Sequence, residues 1–156
     1  MSGRQILERY REQLSSHWLV QEVCRPPELT VEVYNSEGTL CSLCRERLEV
    51  KSGVCTKARV FRDAELTRLA ENLARNLQLP VAFCFQVMKN SAGKWVITDV
   101  NPRLGAGTAL SSVCGWSLAA AALVNWGELL EDPLVYLGDF AGDRFGVRAF
   151  RELRTG

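Results

Sequence analysis

Two stretches of alternating residues, each folded back by a turn, constrain this chain more than any other feature. "ELTVEVY" (28–34) places an apolar residue at every second position, "NSEGT" (35–39) supplies turn residues, and "LCSLCRERLEV" (40–50) returns. That pattern is a β-hairpin. A second follows in "VAFCFQVMK" (81–89), "NSAG" (90–93) and "KWVITDV" (94–100). Hairpins join antiparallel neighbours, so the sheet is expected to be mostly antiparallel.

The other elements fit around these hairpins. Ser2 with Gln5 resembles a capping box, followed by Ile6, Tyr10 and Leu14 at helical spacing. "HWLVQEV" (17–23) reads as a strand that Arg25-Pro26-Pro27 interrupts, and "KSGVCT" (51–56) as a loop before the strand "KARVF" (57–61). Asp63 is placed to cap a helix with an apolar stripe of Leu66, Leu69, Ala70, Leu73 and Leu77. Residues 109–114 and 117–126 read as helices separated by Gly115, and "FGVRAFREL" (145–153) as a last strand. The expected class is α+β, one domain with helices on one face of the sheet. A chain of 156 residues with 47% hydrophobic content can fill such a core.

The second hairpin ends unusually. "WVITDVNPRLGAGT" (95–108) begins as an apolar strand, then delivers Asp99, Asn101, Pro102, Arg103 and two glycines. A turn centred on Ala92-Gly93 would set Gln86 opposite Asp99, with Asn101 one pleat further on the same face. Three oxygen donors without imidazole or thiolate suit a hard ion such as Mg2+, which takes its other ligands from phosphate and water. Arg103 beyond them suits a phosphate or carboxylate. Phe83, Phe85, Val87, Val96, Ile97 and Val100 surround the group, so an unpaired Asp99 carboxylate there would be costly. The alternative is a satisfied polar pair at a sheet end, with "GAGT" a simple turn.

Bulk properties narrow the partners. A net charge of +1, from interleaved charges, supplies no basic surface for nucleic acid. No apolar run reaches membrane-spanning length and the N-terminus has a helix pattern, so a cytoplasmic protein without membrane partners is expected. Among six cysteines only Cys41 and Cys44 form a CxxC, on a strand where residues three apart face opposite sides, and the only histidine is His17. Reduced thiols packed as small hydrophobes are expected rather than zinc.

"VNPRLGAGT", with Gln86 thirteen residues before Asp99, resembles the metal-binding end of the ATP-grasp superfamily, closest to the carbamoyl phosphate synthetase large subunit and related carboxylate–amine ligases. The resemblance implies that Gln86, Asp99 and Asn101 hold Mg2+ (or Mn2+) against ATP phosphates, while Arg103 contacts phosphate or an acyl-phosphate intermediate. "WLVQEVCRPPELTVEV" resembles the family's hinge strand, implying Gln21, Glu22 and Val23 against adenine and Glu28 on the ribose. Arg45, Arg47 and Lys57 are further candidates for phosphate or substrate contact. The likeness covers about residues 3–127.

Two residues depart from the family pattern: Asp99 stands where Glu is commoner, and Pro26-Pro27 where a glycine is usual. The glycine-rich phosphate loop and its lysines have no counterpart. The expectation is therefore that residues 1–156 form the C-terminal, ATP- and metal-binding half of an ATP-grasp ligase. Its partners would be ATP, small carboxylate and amine substrates, and an N-terminal half from the same gene or another chain. The alternative is a non-catalytic domain that keeps the fold for binding or assembly.

Overall fold

The structure is a computed structural model that describes residues 2–11 and 21–149. Helix α1 (Gly3–Tyr10) begins with the expected capping box, Ser2 and Gln5 bonding reciprocally. Leu14 and residues 17–20 of the first expected strand lie outside the described residues. Gln21–Val23 are exposed and not in a strand, which corrects that reading.

The sheet contains β1 (Arg25–Ser36), β2 (Thr39–Lys51), β3 (Val54–Phe61), β4 (Ala82–Lys89), β5 (Trp95–Asn101) and β6 (Arg144–Val147). Their order is β5-β4-β1-β2-β3-β6, every pairing antiparallel. Both hairpins are present. The first turns on Glu37 and Gly38, both at positive φ, so paired numbers across β1 and β2 sum to 75. "KSGVCT" is tighter than the expected loop: Ser52 and Gly53, also at positive φ, join β2 directly to β3. Such two-residue turns match the twist of the strands they join. Pro26 and Pro27 lie inside β1, where its pairing with β4 slips between Arg25 and Leu29. A residue without an amide hydrogen is tolerated at such an irregularity.

Helix α2 (Ala64–Asn76) is capped by Asp63, whose Oδ1 accepts from the amides of Glu65 and Leu66. Its Leu66 and Ala70 pack on Leu29, Val31, Val33, Cys44, Phe83, Phe85 and Val87. The opposite face meets α3 (Thr108–Val113), α4 (Leu118–Trp126) and a 3-10 turn (Pro133–Leu137) that sequence reading missed. There Tyr34, Leu43, Val60 and Ala82 pack beneath Trp116, Leu118, Ala121, Ala122, Leu137 and Phe140. The α+β class and antiparallel sheet stand as expected, but helices cover both faces. The reason lies in β1: its even-numbered Thr30, Glu32 and Tyr34 are buried as well as its odd-numbered residues.

Cys41 and Cys44 fall on opposite faces, as the strand requires. Burial pushes the Cys44 thiol up to about 12 from an ordinary 9.0. The folded state thus holds this proton more tightly than the unfolded chain. The stabilisation is full below pH 9 and is lost as pH rises through 12, on the order of 4 kcal/mol. Denaturant melts between pH 9 and 12 should fall more steeply for the native protein than for Cys44→Ala. Parallel curves would show that Cys44 titrates freely. Among the described residues, no helix is long and apolar enough to cross a membrane.

Candidate functional site

The α3/α4 face is apolar around Tyr34 and polar toward the other end of β1. Thr30 pairs with Gln86 on one side and Arg45 on the other, so one row crosses three strands. Gln86 in turn lies opposite Asp99 on β5. That pairing was expected, but the route to it differs. Near the turn, Lys89 pairs with Trp95 and Val87 with Ile97, so numbers sum to 184 rather than 185. One extra residue, at Thr98, shifts the register before Gln86 and Asp99 meet. Bulges of this kind re-aim side chains.

Together these residues border a cleft of about 220 Å3, flanked by the segment after β5. Gln86, Asp99 and Asn101 stand on one side, and Arg45, Arg47 and Arg103 also line it. Asn101 Nδ2 donates to Asp99 Oδ2. Asp99 is exposed, so the burial cost expected from its apolar neighbours does not arise. Phe83, Phe85 and Val87 point away from the cleft, into the α2 core.

Beneath the arginines lie two ion pairs. Arg47 Nη1 donates to Glu28 Oε1, and its Nη2 donates to the Gly53 carbonyl at 3.1 Å. Arg45 Nε donates to Glu32 Oε1 at 3.2 Å, with Arg45 3% and Glu32 0% exposed. Ser111 Oγ donates to the same carboxylate oxygen at 3.1 Å, tying α3 to the sheet. Burial pushes the Glu32 carboxyl up, opposed by the Arg45 charge and the Ser111 hydroxyl. The Cys84 thiol, also at the cleft, is pushed up by burial and then by Glu32, so it stays protonated at neutral pH.

The glycines of "GAGT" have a local reason. A Cβ on Gly107 would lie 2.0 Å from Arg45 Nη1, and one on Gly105 would lie 3.3 Å from Cys84 Sγ. They make room for side chains of the protein itself, beyond any room they leave a ligand.

Arg47, Gln86, Asp99, Asn101 and Arg103 are thus brought together, with Glu28 held against Arg47. Lys57 is not among them: its neighbour Ala58 faces the cleft side, so Lys57 points to the other, exposed. Gln21, Glu22 and Val23 do not line the cleft either. Glu22 instead accepts from the Ser91 hydroxyl at 2.9 Å, and Val23 is 85% exposed. The buried Glu32 was missed. Its pairing, though not its burial, had a signal: a turn at Glu37-Gly38 puts Arg45 diagonal to Glu32.

Among the described residues no three of His, Cys, Asp and Glu converge, so any metal here would rest on one carboxylate and two amides. That set fits a hard divalent cation in kind, its three oxygens filling half of an octahedral shell. A larger cavity of about 440 Å3 opens around Tyr34 at the opposite end of β1. Glu37, Glu128, Glu131 and Asp132 line it without a cation, which makes it unfit for phosphates.

No curated protein matches the chain. Among solved structures, it resembles the biotin carboxylase domain of a single-chain bacterial carboxylase, with TM-score 0.56 and 16% identity over 78% of this chain and 32% of that one. It also resembles the phosphoribosylaminoimidazole carboxylase ATPase subunit from Aquifex aeolicus, with TM-score 0.53 and 14% identity over 65% of this chain and 33% of that one. A third is N5-carboxyaminoimidazole synthase from Aspergillus clavatus in complex with ADP and 5-aminoimidazole ribonucleotide. There the TM-score is 0.53 and the identity 13%, over 91% of this chain and 40% of that one. The chain therefore spans a third to two fifths of the length of these structures, and at such identities the likeness is one of fold. A family model described as "ATP-grasp in the biosynthetic pathway with Ter operon" matches residues 15–134, most of the chain, which therefore belongs to the ATP-grasp family.

Proposed function

We propose that this chain is the ATP- and Mg2+-binding portion of an ATP-grasp ligase of the carbamoyl phosphate synthetase-like, carboxylate–amine type. The observation that carries the reading is the cleft, where oxygen donors Gln86, Asp99 and Asn101 share a border with three arginines. The ADP in one of the structural relatives supports a nucleotide. Gln86, Asp99 and Asn101 would hold the Mg2+, which when bound neutralises phosphate charge. Arg103 and Arg47 face the transferred phosphoryl group, and Arg103 supports the negative charge that develops as a carboxylate oxygen attacks phosphorus and ADP leaves. An amine then attacks the acyl carbon and phosphate departs. Glu28 contacts the ribose, and the backbone of Gln21–Val23, outside the sheet ladder, meets adenine. Lys57 has no part in this reading. No step needs a covalent nucleophile, so the cysteines keep a packing role.

A non-catalytic reading, in which the fold serves binding or assembly, draws support from the ion pairs Arg47–Glu28 and Arg45–Glu32, which satisfy charges within the chain.

Mn2+ relaxation enhancement with and without ATP, raised to saturate even a weak site, separates the two. Asp99→Asn is expected to abolish the ATP-dependent signal, and an unchanged signal excludes Asp99 as a ligand. Because Asp99 is exposed, the same variant should shift stability by less than about 0.5 kcal/mol. Leu66→Ala, which empties a fully buried position under the sheet, should lose about 2–5 kcal/mol. The reverse order would make the Gln86–Asp99 pair structural.

A further inference from the structure

Arg45 is built differently from the other arginines of the cleft. Its side chain is almost entirely buried, yet only Nε is engaged, by Glu32. Among the described residues, Nη1 and Nη2 have no hydrogen-bond acceptor, although Arg45 lines the cleft. Gly107 lets the loop after β5 pack directly on the guanidinium and fix its position, since a methyl there would collide with Nη1, Cζ and Nη2. Buried ion pairs add little net stability, so a fold gains little by keeping one for stability alone. A guanidinium with both terminal nitrogens unused is suited to bidentate binding of an oxyanion.

The geometry points to Arg45 as the residue that seats an oxyanion in the floor of this cleft, held in place by Glu32. The anion is a phosphate of the nucleotide or the carboxylate of the acceptor substrate. This deepens the ATP-grasp reading and rests on it for the two possible sources of the anion. Arg45 is preset, whereas Arg47 must share its charge with Glu28 and the Gly53 carbonyl. Anion binding at Arg45 therefore needs no rearrangement of its own ion pair, because Nε stays on Glu32 while the Nη atoms bind.

The test is a titration of the full chain, without metal or nucleotide, with pyrophosphate in one arm and acetate in the other. The Arg45 Nε–Hε and Nη resonances are followed by NMR. At least one anion should shift them saturably, and the tighter one assigns the source: pyrophosphate for the nucleotide, acetate for the acceptor. The double variant Glu32→Gln/Arg45→Met removes both buried charges together, so no unpaired ion remains. It should weaken the bound anion about tenfold or more, the loss expected for charge-assisted hydrogen bonds. Arg45 resonances unmoved by both anions would overturn the assignment in the native protein, whatever the variant does. Unchanged affinity in a folded double variant would overturn it too. Because no metal or nucleotide is present, this experiment can fail while the Mn2+–ATP experiment succeeds, and the reverse.

Discussion

Gly107→Ala is expected to destabilise the protein by about 1–5 kcal/mol, a large effect for one methyl group. The backbone is not the cause: Gly107 has φ −88° and ψ −4°, values any residue adopts. The collision is with Arg45, where the new Cβ would stand 2.0 Å from Nη1, 2.2 Å from Cζ and 2.5 Å from Nη2. An exposed arginine would swing aside at little cost. Arg45 is 3% exposed and holds Glu32, whose Oε2 is already buried without a partner.

Overpacking of a filled core costs about 1–3 kcal/mol, and unpairing a buried charge about 3–5 kcal/mol. Whichever route relaxation takes, the loss falls in that range. Gly142→Ala, with nothing within 4 Å of the added carbon, should change little. Glu32→Gln should reduce the damage of Gly107→Ala, because a neutral partner costs less to abandon, so the double-mutant cycle should be non-additive. Denaturant midpoints that are unchanged by Gly107→Ala would show that Arg45 is not pinned.

The contrast between Gly107 and Asp99 shows what the sequence could and could not reveal. Hairpin registers follow from turn chemistry and a period of two, so Gln86 facing Asp99 was legible. It was legible partly by compensation, since paired numbers near the turn sum to one less than a centre at Ala92-Gly93 gives and Thr98 restores the count. The capping roles of Ser2 and Asp63 were legible for a similar reason: they depend on neighbours three residues away.

Burial on the second face was not legible. Glu32 and Thr30 alternate with valines as residues of a solvated face do, and only tertiary packing of α3 and α4 reverses that. The same limit hid the function of "GAGT". A glycine that yields to an arginine sixty-two positions earlier leaves no local trace. Lys57 misled for the opposite reason, because its charge is plain in the sequence and its facing is not.

The second large expectation concerns activity: the 156-residue chain alone should bind ATP poorly and show no ATP-dependent ligation. Pockets that enclose a ligand of nucleotide size run to ~300–1,000 Å3. The cleft here offers about 220 Å3. Its donors come from one sheet face and one loop, while the chain spans only 32–40% of the length of the ATP-grasp-like structures it resembles.

Phosphates held on one side face water on the other. In high dielectric, a contact between unit charges at 4 Å is worth ~1 kcal/mol rather than the ~4 kcal/mol of a partly enclosed site. Several such contacts multiply the deficit into orders of magnitude of affinity. Supplying the remaining portion of an ATP-grasp domain, as a fusion or a second chain, should close the cleft and restore tight ATP binding. Glu28→Ala should then weaken binding by removing the proposed ribose contact, against the gain from an Arg47 freed for phosphate. Calorimetry and a coupled ADP-release assay measure both steps. Robust ligation by the isolated chain would refute the argument from an open cleft, and a reconstituted domain that still ignores ATP would favour the non-catalytic reading.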